Sequence, residues 1–334
     1  MPTTSTTSTL TDVADLLGAY RTCELTTLGR DGTPFTWPTV AVHDAERGVL
    51  TLTTSIGLPV KAFNIRRDPR VALLFSDPTG SGLEAPATVL VQGTATCPDV
   101  LAMDPVPLAD YWRTLFTRQP PMKLPKWAEQ RFLAWYYLRL VITVTPTAVT
   151  VGPPAPTGDR LGGRVQGGTE AWRRTARELR RYRSAVLTWV DADGAPSSER
   201  VRPEVEARTG GFRVTPSGAV EEGRASLLAH GHDAVLGGLT SVLAVGQVQA
   251  TPDGPVFVPD RHVPGASVSP RQALRLVRRA RKDAAAYLAR RGWETPDVPW
   301  EAYDELAGQA AELARRPVLS RDRQVAGSSS RGED

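Results

Sequence analysis

Cysteine is nearly missing from this chain of 334 residues: Cys23 and Cys97 are the only two. Two cannot build a disulfide framework, and a reducing compartment is the expectation. Long apolar runs are missing too. The most apolar stretch, LAWYYLRLVITV at 133–144, is shorter than a bilayer requires and carries Arg139, so no membrane partner is expected. The opening residues, MPTTSTTSTL, have neither a basic start nor an apolar core; no secretory signal is read and a cytoplasmic location is expected. The sequence holds no serine–histidine–acid pattern, no phosphate-cradling glycine loop and no metalloprotease motif. It offers no clear side-chain acid or base, which suits a protein whose cofactor carries the chemistry. Lysine is scarce as well, with four residues against thirty-six arginines.

What is present is turn chemistry and a modest positive charge. Twenty-nine glycines and twenty-eight prolines favour a β-rich fold, and 41% hydrophobic with 23% charged residues is a soluble, globular composition. The net charge of +4 suits an anionic partner, and a phosphate-bearing small molecule satisfies it as well as nucleic acid does. The basic run RQALRLVRRARK at 271–282 spreads its charges around a helix, which reads as a solvated face, so no nucleic-acid partner is expected. His230-Gly231-His232 has the spacing at which two imidazoles on a strand share an ion. No cysteine or carboxylate cluster accompanies it along the chain, so no metal is read there.

The chain repeats itself. At an offset of 162 residues, Leu17, Tyr20 and Arg21 fall on Leu179, Tyr182 and Arg183, and Asp31-Gly32-Thr33-Pro34 falls on Asp193-Gly194-Ala195-Pro196. The register resumes later, with Val91-Gln92-Gly93-Thr94 against Ala244-Val245-Gly246-Gln247. Each half predicts a helix, a strand (22–29 and 184–190), an Asp-Gly turn and a second strand (33–42 and 195–206). A third strand (49–54 and 211–215), a short helix (57–67 and 220–230) and further strands, near 71–75 and 88–96 in the first half, follow. The first half adds a strand pair near 138–151. The expected organisation is mainly β with α additions (α+β). Two tandem barrels span 11–151, with a helical insertion at 98–137, and 170–265. They are joined by a linker at 152–169 and followed by helices over 266–318 and a disordered tail at 319–334.

The segment GVLTLTTSIGLPVKAFNIRRDPRVALLF, residues 48–75, resembles the FMN-binding split barrel of the pyridoxamine 5′-phosphate oxidase-like superfamily. Thr53, Thr54, Ser55, Lys61, Pro69 and the strand Val71–Phe75 carry the likeness. The resemblance implies two tandem split barrels of the FMN-binding type, the second degenerate, and a flavin-dependent oxidoreductase acting on a small organic molecule. It implies that FMN is held non-covalently between the barrels, with Thr53, Thr54, Ser55 and Lys61 at its phosphate. Thr36 and Thr39 on the second strand, and Thr88 on a later one, are the further cofactor candidates. Tyr136, Tyr137 and Arg139 also approach the cofactor face in such folds. The deazaflavin F420 and haem are the alternative cofactors, the latter in a protein without turnover. Pro59-Val60 stands where true oxidases of this family carry a serine-arginine pair, so their vitamin substrate is not carried over. Split barrels of this kind act as homodimers. Here the two halves are expected to pack as an intramolecular pseudo-dimer that could pair further with a second copy. The repeat leaves Lys61 opposite Gly223, and Arg224, one position on, is expected to point away from an equivalent phosphate site.

Overall fold

The computed structural model describes residues 6–121, 124–163, 165–265 and 269–315. The first half runs β1 (Thr6–Thr7), α1 (Ala14–Ala19), β2 (Cys23–Leu28), β3 (Pro34–Thr39), β4 (Val42–Asp44) and β5 (Val49–Ser55). It continues through α2 (Val60–Arg67), β6 (Arg70–Phe75), β7 (Ala87–Thr96), α3 (Ala109–Arg118), α4 (Lys126–Tyr137) and β8 (Arg139–Pro154). The second half holds α5 (Glu170–Leu179), β9 (Ala185–Val190), β10 (Pro196–Val201), β11 (Glu204–Glu206) and β12 (Gly211–Arg213). It ends with β13 (Gly223–Gly231), β14 (Thr240–Gln249) and β15 (Val256–Pro264), followed by α6 (Pro270–Ala289) and α7 (Trp300–Arg315).

Both halves form antiparallel sheets with one strand order: β3-β2-β6-β7-β8-β5-β4 and β10-β9-β13-β14-β15-β12-β11. In each, the two terminal strands are consecutive in the chain, with two residues between them (Val40-Ala41 and Arg202-Pro203). One bent run therefore occupies both edges, and the sheet curls until it meets itself. This is a split barrel, twice. The Asp-Gly turns are built alike, with Gly32 at φ 74° and Gly194 at φ 78°, a region that a glycine enters without steric cost. A second shared device is a bulge in the long strands, at Gln92/Gly93 and at Val245/Gly246. A Cβ on Gly93 would collide with the Thr145 carbonyl, and one on Gly246 with that of Val258. The expected strand pair near 138–151 is instead a single strand, β8, bent at this bulge.

The helix expected at 220–230 is the strand β13. Its place follows from register: Glu24 pairs with Leu74 and Val186 pairs with Leu228, so β13 is the counterpart of β6. Ser217 to Arg224 is eight residues shorter than Ser55 to Arg70, and eight residues is the length of α2. The second half has lost that helix. Arg224 therefore corresponds to Arg70, and the two make a matched clasp. Arg70 Nη1 donates to the Gly194 carbonyl at 2.6 Å, and Arg224 Nε donates to Thr33 Oγ1 at 2.9 Å. Each reaches the Asp-Gly turn of the other half.

The halves pack through strands apolar on both faces. Leu73 and Leu227 face their own barrel cores, while Leu74, Val186, Leu228, Leu243 and Val245 form a separate cluster between the sheets. Beside it lies a knot of buried hydroxyls. Thr26 and Thr36 lie 2.9 Å apart, their counterparts Thr188 and Ser198 3.0 Å apart, and Thr36 and Thr188 3.0 Å apart across the seam. Next to these runs a fully buried ion pair, Arg200 Nη2 to Glu24 Oε1 at 2.6 Å. Within the segment read as a linker, Leu161 is buried in the second core and its N–H donates to the Tyr182 carbonyl at 2.6 Å. The C-terminal helices return to the first barrel: Tyr287, Leu288, Tyr303 and Leu306 join its core, and Tyr303 packs edge-on against Trp112 and tilted against Tyr137. The tail read as disordered lies outside the described residues, and none of the described helices is long and apolar enough to cross a membrane.

Candidate functional site

The β5 strand ends in Thr53-Thr54-Ser55 and turns through Gly57-Leu58-Pro59 into α2. Pro59 sits at the N-cap of this helix, and Asp68, held extended before Pro69, ends it. Asn64 Nδ2 donates to Thr27 Oγ1 at 2.9 Å and Arg67 Nη2 donates to the Leu28 carbonyl at 2.6 Å, pinning α2 to β2. This sets Lys61, in the first turn, at the rim of a cavity of about 130 Å³. Thr39, Thr53, Thr54, Ser55, Tyr136 and Arg139 line the same cavity, and Leu236 and Leu239 of the second half close it. The cavity is thus shared between the barrels.

Its charge is one-sided. Lys61 makes no ion pair among the described residues; its Nζ lies 5.9 Å from the centre of the Trp37 ring. Burial, and then the Arg139 guanidinium, push its ammonium down to about 8. Arg139 opens β8 directly opposite Ser55. It is 7% exposed, its guanidinium lies 3.9 Å from the Tyr136 ring, and its Nε and Nη2 have no hydrogen-bond partner. Among the described residues no carboxylate lines the cavity. A buried Arg139 and a part-exposed Lys61, neither with a carboxylate partner among the described residues, line one pocket, and such an arrangement favours an anion.

The hydroxyls behave differently from the sequence expectation. Thr53 Oγ1 donates to the Tyr111 hydroxyl at 3.0 Å, Thr54 Oγ1 to the Leu58 carbonyl at 3.0 Å, and Ser55 Oγ to the Trp135 carbonyl at 2.5 Å. Their protons are engaged within the protein: Thr54 in the β5–α2 turn, Thr53 to α3 and Ser55 to α4. Thr36 is placed elsewhere, in the hydroxyl knot at the seam. Thr88 is also elsewhere: its Oγ1 donates to the Pro153 carbonyl at 3.0 Å and it lines a second cavity, of about 650 Å³. That cavity contains Arg200, Val201, Arg202, Thr215 and Ser217, the repeat counterparts of Pro38, Thr39, Val40, Thr53 and Ser55. It is the second barrel's version of the same place.

Sequence reasoning passed over Tyr111, Gln119, Leu236 and Leu239. The two leucines carry no local signal, because the loop that bears them belongs to the other half. Leu236 has φ 51°, a strained value for a side-chain-bearing residue, and is 5% exposed in the first barrel's core. No cysteine or carboxylate cluster accompanies His230 and His232 along the chain, but in space Asp77, two residues past β6, comes within 3.7 Å of both imidazoles from across the seam. A carboxylate 153 residues away in sequence is adjacent in space because β6 and β13 are topological counterparts.

No protein-family model matches the chain, and no curated protein matches it. Solved structures do. A Listeria innocua protein named for pyridoxamine 5′-phosphate oxidase is 18% identical over 42% of this chain and 95% of its own, with a TM-score of 0.29. An F420 reductase is 25% identical over 40% of this chain and 94% of its own, with a TM-score of 0.29. An FAD-binding protein from Mesorhizobium loti is 17% identical over 44% of this chain and 96% of its own, with a TM-score of 0.31. Each of these is matched almost end to end by less than half of this chain.

Proposed function

We propose that the chain is a flavin-dependent oxidoreductase that binds FMN non-covalently through the Lys61 cavity, between the two barrels, and acts on a small organic molecule. The observation that carries this reading is the convergence of Lys61 and Arg139, both without a carboxylate partner among the described residues, on one cavity. The phosphate of FMN supplies the missing negative charge, and charge-assisted hydrogen bonds to Lys61 Nζ and to Arg139 Nε and Nη2 occupy donors that are otherwise idle. The flavin, when bound, supplies the two-electron chemistry that the side chains do not. Trp37 and Tyr136 shield the cations from water, and Leu236 and Leu239 close the far wall. Cavities for whole ligands begin at about 300 Å³, so the loop bearing these leucines has to yield when a flavin enters. Among the described lining residues there is no histidine, cysteine or methionine for a haem iron.

Titration of the purified chain with FMN, riboflavin and F420 tests the proposal. FMN should bind one to a chain and at least about tenfold more tightly than riboflavin, which has the ring without the phosphate, as one charge-assisted bond requires. Equal affinity for FMN and riboflavin, or binding of F420 alone, overturns it.

A further inference from the structure

We propose that Asp77, His230 and His232 form a binding site for a divalent transition-metal ion of the zinc class, bridging the two barrels. Three potential ligand atoms, one from each residue, lie within 4.8 Å of one another. Asp77 Oδ2 is 3.7 Å from His230 Nδ1 and 3.7 Å from His232 Nε2. Nitrogen and oxygen ligands sit about 2.0–2.2 Å from zinc, which separates neighbouring tetrahedral ligands by about 3.3–3.6 Å. The two Asp77–imidazole distances need to close by only a few tenths of an ångström, and the two imidazole nitrogens, within 4.8 Å of each other, by up to about 1 Å.

The outer faces of the rings favour the same reading. A ligating imidazole presents a lone pair to the ion and gives its other N–H to a carboxylate or carbonyl. His230 Nε2 lies 2.7 Å from Glu24 Oε1, and His232 Nδ1 lies 2.8 Å from the Asp233 carbonyl. A carbonyl only accepts, so His232 Nδ1 carries the proton and Nε2 is left as a lone pair. His230 Nε2 lies between the acceptor Glu24 Oε1 at 2.7 Å and the donor Arg200 Nη2 at 3.0 Å; with its proton on the shorter contact, to Glu24, Nδ1 is left bare. That Nδ1 is buried, has no hydrogen-bond partner, and is directed at Asp77 and His232. Both side chains have no exposed surface.

Charge agrees. Glu24 and Asp77 outnumber Arg200, which pairs with Glu24, so with neutral imidazoles the group carries one net negative charge. Thr22 Oγ1 lies 3.2 Å from His232 Nε2 and donates to that lone pair when no ion holds it. Thr22 also lines the Lys61 cavity, so an ion here fixes the start of the Asp233–Leu239 loop that walls it. Two imidazoles and one carboxylate exclude the hard, oxygen-seeking cations Mg²⁺ and Ca²⁺ as preferred occupants.

The test uses the full chain, freed of metal with a chelator and without flavin, so its result is independent of the FMN proposal. Zn²⁺ titration calorimetry should show one equivalent bound, and Co²⁺ should give visible absorption bands that Zn²⁺ removes. Loss of an outer partner alone costs about 10- to 100-fold in affinity, so His232→Ala should weaken Zn²⁺ by about 100-fold or more. Asp77→Asn keeps the shape and the acceptor for the Thr79 N–H, and should also weaken Zn²⁺ at least about tenfold. The site is overturned if no Co²⁺ bands appear, if both variants bind Zn²⁺ like the parent chain, or if Mg²⁺ binds as tightly as Zn²⁺.

Discussion

Two cavities occupy corresponding places in the two barrels, and the smaller is the better anion site. The larger, about 650 Å³, contains Arg200 and Arg202, but also Glu199 and Glu204. Its arginines are already committed. Arg200 is bound to Glu24, Ser76 and Ser184, and Arg202 Nη1 donates to the carbonyls of Asp159 and Arg183. Burial raises the Glu199 carboxyl, which accepts the N–H of Ser217, the counterpart of Ser55. The smaller cavity has two cations, no acid and idle donors. Loss of the eight residues of the α2 counterpart explains both facts: it took away the lysine position, and the short segment through Ser217, Gly218 and Ala219 that replaced it lines the enlarged space. Volume says what fits in a place; unpaired charge says what is held there.

The largest effect should come from Glu24→Ala, which leaves Arg200 buried without the carboxylate it pairs with. Breaking a buried pair from one side costs about 3–5 kcal/mol, read as a lower midpoint in chemical denaturation. The preference for FMN over riboflavin should survive, since Arg200 belongs to the seam. If that preference disappears instead, the second cavity takes part in phosphate binding. Next in size is Leu236→Ala, which removes a second-half side chain from the first barrel's core. Truncations of this kind cost roughly 2–5 kcal/mol. A loss below about 1 kcal/mol would show that the second half does not wall the first cavity.

Lys61→Ala sharpens the comparison from the other side. It should weaken FMN by about 10- to 150-fold, from about 1.5–3 kcal/mol per charge-assisted bond, with riboflavin affinity unchanged. A pH titration probes the same residue. The free Lys61 ammonium is depressed to about 8, and a bound phosphate raises it again. Binding above pH 8 therefore takes up a proton, and FMN affinity should fall about tenfold per pH unit above about 8. Affinity that is flat from pH 7 to 9.5 would remove Lys61 from the site. Smallest of all, Arg224→Ala should change FMN affinity less than about twofold and stability by no more than about 1 kcal/mol, the range of an exposed ion pair. An Arg224 variant as damaged in FMN binding as the Lys61 variant would restore a second phosphate site.

The repeat, the two barrels and the location of Lys61 were legible in the sequence because they rest on local signals: an Asp-Gly turn, a strand of alternating character, a proline that stops a helix. The strand at 223–231 was not. A gapless offset laid it on α2, and only the pairing of Val186 with Leu228 shows the deletion. Arg139 was within reach of the sequence as a candidate, but its idle donors depend on the packing of Tyr136 and Trp112 around it. Leu236 and Asp77 act across the seam, and no spacing along the chain encodes which loop of one half touches which strand end of the other.

The knot of hydroxyls at the seam has a consequence for descent. Where two identical copies meet about a twofold axis, each contact of residue i with residue j comes back as j with i, so both side chains must be able to give and to accept. Hydroxyls can; carboxylates and guanidinium groups cannot. Thr36 with Thr188, and Thr26 with Ser198, keep this reciprocal character. Glu24 and Arg200 do not, for their counterparts are Val186 and Pro38. Two symmetric copies would have to carry such a pair twice or not at all. Writing both copies into one chain removes that obligation, so a charge, a lost helix or a new ligand can be fixed on one side of the axis while the other side keeps its original task.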